Sequence, residues 1–413
     1  MDYVKTDEFQ NRVSEGNVNW EYGSDSRLEK LSEGFYSGIN FGFGNVGFVI
    51  TEEGVVVIDS TISRSGARAV IKEIRKLTNK PIKYLIYTHG HGDHVGGASV
   101  FKEEGATVIG HRNVNKRFDR YTKLNEHHLA INSLQFKKKL TSKVRKYVYP
   151  DITYDQEYTF ELGGKTFRLI HGKGETDDAT VIYIPENRIC FIGDFIIWAF
   201  PNIGNPNKVI RYEREWYEML DRILSLRPKA IGVGHGRSLI GRQEIEDCLG
   251  DTSNVLKYLH EECVKHINKM SSLDKMLSEI KVPEKLANSP YIKELYGCRE
   301  FVIRGIHRRY TGWYDGNPTS LSSSPVKEVN RVIFDLIGSK EKIIRKAKDY
   351  HAKGKNQLSL HLIDLILIED PEDKEMHLLK ANVLKEMSSN SNNLFFRNFY
   401  SVNAEKEIEV GNS

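Results

Sequence analysis

Three histidines and one aspartate lie within six consecutive positions, directly after the apolar and aromatic run Tyr84–Tyr87. The four residues are His89, His91, Asp93 and His94. The pattern predicts a short buried strand that ends where this group begins. Imidazole nitrogens and carboxylate oxygens are the ligand mixture that suits Zn²⁺ and neighbouring divalent ions. A single histidine near a strand end is usually structural, so the spacing His-x-His-x-Asp-His is what favours a metal site.

Further polar residues follow predicted strands. Strands are predicted over Thr180 to Ile184 and Ile189 to Ile192, with Glu175 before the first and Asp194 after the second. A loop glutamate or a strand-end aspartate is commonly a turn residue or a cap. Their placement relative to the first group favours metal binding instead. His235 follows another apolar run, Ala230 to Val233, and Asp59 follows the run Val55 to Ile58 and is expected to orient metal ligands.

The spacing His-x-His-x-Asp-His resembles the signature of the metallo-β-lactamase superfamily, which binds two metals. The segment Gly174-Glu175-Thr176 stands where that superfamily has Gly-His-Thr, and it resembles the alkylsulfatase branch. That branch carries glutamate at the bridging position, where this chain has Asp194. The resemblance implies two divalent ions, expected to be Zn, with Mn or Fe as alternatives. The implied ligands are His89, His91 and Glu175 on one ion, Asp93, His94 and His235 on the other, and Asp194 between them.

Short strands alternate with helices from Gly34 to about residue 240, after which only helical patterns remain, including Pro325 to Gly338 and Lys340 to Ala352. This order predicts an α/β fold. The resemblance implies an αββα sandwich followed by an all-α dimerisation domain, because the segments Arg309–Pro318 and Phe396–Tyr400 are also similar to the alkylsulfatase branch. The expected divisions are an arm over 1–28, a catalytic domain over 29–245, a helical domain over 246–402 and a tail over 403–413. The sterol-carrier-like third domain of that branch is expected to be absent.

Composition indicates an ordinary globular protein: 413 residues, 39% hydrophobic and 28% charged, with a net charge of +4. This charge implies no nucleic-acid partner. The basic run Lys137–Lys139, with Lys143, Arg145 and Lys146, is interpreted as a solvated connection. Four widely spaced cysteines favour reduced thiols and a cytoplasmic location. No signal segment and no membrane span are predicted.

Two adjacent divalent ions lower the pKa of a bound water and polarise an ester oxygen. The resemblance therefore implies hydrolysis of an alkyl sulfate to an alcohol and inorganic sulfate by a metal-bound hydroxide, which Asp93 and Asp194 orient. Asn202, Lys208 and Arg211 are expected to bind the sulfate group, although a loop charge and a helix-start residue are equally good accounts of the last two. The proton donor for the leaving alcohol stays open among His111, His171, Tyr310 and Tyr314.

Two other functions remain open. The first is hydrolysis of another ester in the same scaffold: a lactone, a thioester, a β-lactam or a phosphodiester. The second is a helical partner-binding scaffold with a vestigial metal site. The expected partners are a small-molecule ester substrate and a second copy of the chain, with no nucleic acid and no membrane.

Overall fold

The computed structural model describes residues 8–15, 25–141 and 146–413. By internal contacts the chain divides into two compact units, Met1–His128 with Ser142–Gly312, and Leu129–Thr141 with Trp313–Ser413. Lys143 and Arg145 of the predicted basic connection, and most of the predicted N-terminal arm, lie outside the described residues.

The first unit contains a seven-stranded sheet whose strands lie in chain order. The strands are β1 (Arg27–Ser32), β2 (Phe35–Ile39), β3 (Val46–Ile50), β4 (Val55–Ile58), β5 (Ile82–Ile86), β6 (Thr107–His111) and β7 (Ile152–Tyr154). Strands β1 to β4 pair antiparallel, whereas β4 to β7 pair parallel. Because parallel neighbours end at the same edge, the residues after β4 and β5 meet there.

The second sheet has six strands in the order β13-β12-β11-β10-β9-β8. The strands are β8 (Glu157–Leu162), β9 (Lys165–His171), β10 (Thr180–Ile184), β11 (Ile189–Phe191), β12 (Ala230–Gly232) and β13 (Leu239–Ile240). Strands β11 and β12 pair parallel, so the segments that follow them also leave from one edge. A 3-10 turn, Gly193–Phe195, begins two residues after β11.

The two sheets face each other across a shared apolar core, in which Val56 and Ile58 of β4 pack with Leu169 of β9 and Phe191 of β11. The helices before the second sheet are α1 (Glu8–Glu15), α2 (Arg64–Leu77), α3 (Gly92–Val95), α4 (Ala98–Glu103), α5 (Asn113–Lys123) and α6 (Asn125–Phe136). Helices α2, α4 and α5 cover the outer face of the first sheet. The side chain of Ser63 begins α2 by accepting a hydrogen bond from the Gly66 amide.

The outer face of the second sheet is covered by α7 (Glu213–Ser225) and the helices that follow it. These are α8 (Arg242–Asn268), α9 (Leu273–Glu279), α10 (Glu284–Ala287) and α11 (Arg299–Tyr310). Trp216 of α7 and Leu256 of α8 share a core with Val181 and Ile192. The layers therefore run helix, sheet, sheet, helix, which confirms the predicted αββα fold class. Helices α8 to α11 complete the outer layer, and this compact unit ends at Gly312.

The second unit is helical. Its helices after residue 312 are α12 (Val326–Ile337), α13 (Lys340–Ala352), α14 (Asn356–Glu369), α15 (Lys374–Ser389) and α16 (Leu394–Asn412). Ile343, Ile363, Val383 and Ala404 share its core. Residues 403–412 form the last part of α16, and buried Ala404 packs in this core. Among the described helices, none combines the length and the apolar content that crossing a bilayer requires.

Candidate metal centre

Strand ends bring six of the predicted ligands together. Their nitrogen and oxygen atoms form two groups, and within each group the ligand atoms lie within 4.8 Å of one another. The first group is His89, His91 and Asp194, and the second is Asp93, His94 and His235. The first two histidines follow β5, Asp93 and His94 lie in α3, Asp194 lies in the 3-10 turn after β11, and His235 follows β12.

Asp194 faces both groups. Its Oδ2 atom lies 3.6 Å from Nε2 of His89 and 3.4 Å from Nε2 of His235. Its Oδ1 atom lies 3.3 Å from Nε2 of His94. Asp93 faces the second group, with Oδ2 3.4 Å from Nε2 of His235 and 3.5 Å from Nε2 of His94. The buried carboxylate of Asp194 therefore lies between the two sets of imidazoles.

Glu175 lies beside the first group. Its Oε1 atom is 3.8 Å from Nδ1 of His91, and the same atom forms an ion pair with the buried guanidinium of Arg211. The structure thus brings Glu175 to the predicted ligands, and it also gives this carboxylate a cationic partner on its other side.

Second partners fix which nitrogen each histidine presents. Nδ1 of His94 lies 2.8 Å from Oδ2 of Asp59, and Nδ1 of His235 lies 2.9 Å from the carbonyl oxygen of Phe43. Asp59 is held in turn by Thr88, whose amide and hydroxyl donate to it over 2.7 Å and 2.6 Å. With Nδ1 occupied, both histidines direct Nε2 toward Asp194, as histidine ligands of metals commonly do.

Asp178 and Arg117 support the first group, and neither was predicted from the sequence. Oδ2 of Asp178 accepts a hydrogen bond from the Gly90 amide over 2.8 Å, between the two histidines of the loop. The Arg117 guanidinium donates to the other oxygen of Asp178 over 2.9 Å. An arginine among the apolar positions Val114 and Phe118 of α5 was the available signal.

The four histidines divide into two electrostatic classes. Burial lowers the pKa of His89 to about 4, and burial together with His89 lowers the pKa of His91. Burial acts against the charged form of His94 as well, but the surrounding carboxylates, with Asp194 the strongest, raise its pKa. The same opposition raises the pKa of His235 to about 10. The neutral imidazoles of His89 and His91 suit metal binding directly. The raised pKa values of His94 and His235 show how strongly the surrounding carboxylates favour positive charge there.

The carboxylates show the complementary pattern. Burial would raise the pKa of Asp93 and of Asp194, but the neighbouring histidines, including His94, lower both. Burial raises the pKa of Glu175 to about 7, although Arg211 opposes this effect. Asp93 and Asp194 are therefore ionised at neutral pH.

This donor set fits divalent cations. Nε2 of His94 and Oδ1 of Asp194 are buried and lie 3.3 Å apart, but neither atom forms a hydrogen bond of suitable geometry within the described part of the chain. Buried polar atoms are nearly always satisfied, so this pair calls for a further partner. Imidazole nitrogens together with carboxylate oxygens are the donors that Zn²⁺ and similar ions bind.

The predicted sulfate-binding residues lie in the segment before α7. Asn202 is fully buried, and both polar atoms of its amide lack a hydrogen-bond partner among the described residues. Burial lowers the pKa of Lys208 to about 8, with Arg211 adding to the effect while Glu175 and Asp93 oppose it. Two cations and two carboxylates of the site therefore act on one another in this segment.

Tyr296 is a neighbour that the sequence did not indicate. Burial raises the pKa of its hydroxyl, and the carboxylates of Glu175, Asp93 and Asp194 add to this effect, which Arg211 opposes. Tyr296 lies outside any regular element, between α10 and α11, so no periodicity marked it.

The four candidate proton donors lie in different surroundings. The rings of His111 and His171 stack with centroids 3.8 Å apart. The ring of Tyr310 is partly exposed and lies 5.7 Å from that of His260. Tyr314 is exposed and belongs to the second unit. The structure does not bring these four side chains together.

Two family profiles match the chain. Residues 39–235 match the metallo-beta-lactamase superfamily, and residues 272–409 match the alkyl sulfatase dimerisation family. The chain joins a metallo-β-lactamase domain to an alkyl sulfatase dimerisation domain. Six residues of the centre fall in the metallo-β-lactamase domain, and α12 to α15 fall in the dimerisation domain.

Characterised relatives share both parts. A linear primary-alkylsulfatase of Pseudomonas sp. (strain ATCC 19151) is 25% identical over 380 residues, covering 85% of this chain and 72% of the relative. An (R)-specific secondary-alkylsulfatase of Pseudomonas sp. is 23% identical, covering 87% of this chain and 59% of the relative. The solved structure of the inverting sec-alkylsulfatase Pisa1 from Pseudomonas sp. has a TM-score of 0.82 at 20% identity, covering 94% of this chain and 66% of that one. The chain thus spans between 59% and 72% of the length of these relatives.

Proposed function

We propose that the protein is a binuclear metal-dependent hydrolase that cleaves an alkyl sulfate ester to an alcohol and inorganic sulfate. The observation that carries this proposal is the position of Asp194, which faces histidines of both ligand groups in a buried site. The similarity to alkylsulfatases over most of the chain supports the sulfate ester as the substrate class.

Seven side chains would hold the two ions. His89, His91 and Glu175 would bind one, Asp93, His94 and His235 the other, and Asp194 would contact both. When bound, the ions would supply an activated water and polarise an oxygen of the ester. Zn fits the donor set best, and Mn or Fe would also fit it.

The residues around the ions have separate tasks. Asp93 and Asp194 are ionised, so they accept hydrogen bonds from the attacking water and orient it. Lys208 and Arg211 supply positive charge for the sulfate group, and the unpartnered amide of Asn202 supplies a donor to its oxygens.

The names of the relatives support a particular class of substrate, and the cysteines support a cellular location. The relatives act on linear primary and on (R)-secondary alkyl sulfates, according to their names, so we propose a primary or secondary alkyl sulfate here. Cys190, Cys248, Cys263 and Cys298 are all free and buried. Free thiols support a cytoplasmic location.

The catalytic domain is proposed to lie within 29–245, and the helical dimerisation domain to begin after it. The dimer partner is proposed to be a second copy of the chain, because the dimerisation family matches residues 272–409. The exposed face of α12 is the proposed contact. It presents Val326, Val329, Val332, Ile333 and Leu336, whose exposed fractions range from 42% to 83%. Such a row of exposed apolar side chains is typical of an interaction surface.

Sulfate release tests the proposed activity. The protein, supplemented with Zn or Mn, is incubated with octyl sulfate and with 2-octyl sulfate, and inorganic sulfate is measured by ion chromatography. We expect turnover by the wild type, and a loss of more than about 100-fold in Asp194→Asn, because the carboxylate between the two groups loses its charge. His127→Ala, which changes an exposed histidine outside both groups, is the matched control.

The same assay separates the other functions. Turnover of a nitrophenyl phosphodiester, a lactone or a β-lactam without release of sulfate would replace the proposed substrate class. Less than one equivalent of metal bound after supplementation would overturn the hydrolase and favour a partner-binding scaffold.

A further inference from the structure

Arg309, in the last turn of α11, contacts the segment that leads into α7. Its Nη2 atom donates to the carbonyl oxygen of Arg211 over 2.5 Å. Its Nη1 atom lies 3.1 Å from Oε2 of Glu215 and 3.5 Å from Oε2 of Glu213. One guanidinium therefore binds the backbone before α7 and both carboxylates of its first turn.

The surroundings of Arg309 fix this geometry. Its guanidinium carbon lies 4.8 Å from the ring centroid of Tyr212, within the range of a cation–π contact. Glu213 is fully buried, and its carboxylate lies between Arg309 and Nδ1 of His260, which is 3.2 Å from Oε1. The planar guanidinium of arginine can donate hydrogen bonds in several directions while it stacks on an aromatic ring. The ammonium group of lysine cannot do both.

Arg211 connects this contact to the candidate metal centre. Its carbonyl oxygen is held by Arg309, and its guanidinium forms the ion pair with Glu175. The next residue is tied to the same loop, because the Tyr212 amide donates to the carbonyl oxygen of Gly174 over 3.2 Å. The backbone that Arg309 holds therefore fixes the position of the Arg211 side chain, which pairs with Glu175. It also fixes the position of the loop that carries Glu175.

We infer that Arg309 is a positioning residue: by holding Arg211 and Tyr212 it directs Glu175 toward His91 and so completes the first ligand group. This inference rests on the proposed assignment of Glu175 as a metal ligand. Neither Arg309 nor Arg211 belongs to the ligands, so the effect of Arg309 reaches the ion through a chain of contacts. This series of contacts does not pass through the second ligand group, which is Asp93, His94 and His235.

Metal affinity tests the inference without using activity. Zn²⁺ binding by Arg309→Lys is measured by equilibrium dialysis against graded chelator, followed by elemental analysis. Lysine keeps the charge near buried Glu213 but loses the planar guanidinium, so we expect a folded protein. One of its two bound ions should be weakened by about tenfold, as for other groups that orient metal ligands, and the other should be unchanged. Arg304→Lys is the matched control, because Arg304 lies on the same helix and pairs only with exposed Glu300 among the described contacts.

Arg211→Lys gives a second, independent measurement, and it should weaken the same ion. If Arg309→Lys binds both ions as the wild type does, or loses both equally, the positioning role is wrong. Failure of the proposed function has a different signature: two ions bound by the wild type, one weakened in Arg309→Lys, and no release of sulfate. A wild-type chain that binds no metal overturns both.

Discussion

Asp194 and Asp59 do different work at the same site. Asp194 faces the imidazoles directly, whereas Asp59 lies behind His94 and is itself held by Thr88. Asp59 also adopts a left-handed backbone, with φ of 62°. For a residue other than glycine this conformation is uncommon, but aspartate and asparagine tolerate it. The chain thus keeps a residue at this corner that both fits the turn and orients a ligand.

Asp59→Asn is expected to lower metal affinity while leaving the fold intact. Asparagine tolerates the same backbone and can still bond to Thr88, but it loses the charge that fixes the orientation of His94. We expect one bound ion to be weakened by about 10- to 100-fold, measured by competition with a chromogenic chelator. Asp119→Asn, at the surface beside Tyr149, is the control. Unchanged affinity in Asp59→Asn would remove the orienting role.

At this scale the sequence predicts what is local and misses what is not. His89, His91, Asp93 and His94 could be recognised because their spacing lies within one segment. The support from Asp178 could not be recognised, because it reaches Gly90 from 88 residues away. The pairing of Glu175 with Arg211 depends on a loop closure that no periodicity records.

Elements were predictable where burial is continuous. The runs Val55–Ile58 and Thr180–Ile184 are buried at every position, and they form strands at the predicted bounds. Strand β8 was not predicted from the sequence: its burial alternates as in a half-buried strand, but two of its six residues are Glu, a type that is depleted in strands. Helix α16 carries no clear apolar stripe, so the sequence did not predict a helix over its last ten residues.

His377 joins α15 to α16 through a charged contact. Its Nδ1 atom lies 2.5 Å from Oε2 of Glu407, and its Nε2 atom lies 2.8 Å from the carbonyl oxygen of Pro371. Both ring nitrogens face oxygen acceptors, so both carry protons and the ring is charged. Burial would lower the pKa of His377, but these two bonds outweigh it and raise the pKa. The opposite balance holds for Glu407, whose pKa is lowered by His377 and Lys380 against the effect of burial.

The contribution of His377 to stability should therefore fall as pH rises. A raised pKa in the folded state gives stability that is fully present below the unfolded pKa, about 6.5, and is lost as pH passes the folded value. We expect His377→Gln to melt about 2–4 °C below the wild type at pH 6, as a loss of about 1 kcal/mol would produce. The difference should shrink toward pH 9. His127→Gln is the control, and a difference independent of pH would contradict this account of α15 and α16.

At the scale of the whole chain, the point where strand patterns end in the sequence differs from the point where the first compact unit ends in the structure. The strand signals end near residue 240, but α8 to α11 complete the outer layer of the sandwich, and the compact unit ends at Gly312. Arg309, which stabilises the segment next to the candidate metal centre, lies in this last stretch. Sequence pattern separates strands from helices, whereas compactness depends on which helices bury their apolar faces against the sheet.

Helix α12 carries one wide apolar face, and part of it is used within its own unit. Phe334 and Ile337, along one side of this face, pack against the core of the second unit, while the adjoining arc carries the exposed valines, isoleucine and leucine. At 100° per residue these exposed positions span an arc of about 120°. Such an arc is wide enough to serve as the apolar stripe of a second packing contact. The dimerisation family covers this helix, so a second copy of the chain is the occupant that we expect.

The double variant Val329→Glu and Leu336→Glu is expected to dissociate this dimer. Burying two carboxylates beside an apolar partner face costs several kcal/mol, so the dissociation constant should rise by at least about 100-fold. Sedimentation velocity at micromolar concentration measures the change, and circular dichroism and metal content show that helices and site are retained. Leu77→Glu, which adds a charge at an exposed apolar position of α2, is the control and should stay dimeric. A monomeric wild type, or a double variant that still dimerises, would show that α12 does not form the contact.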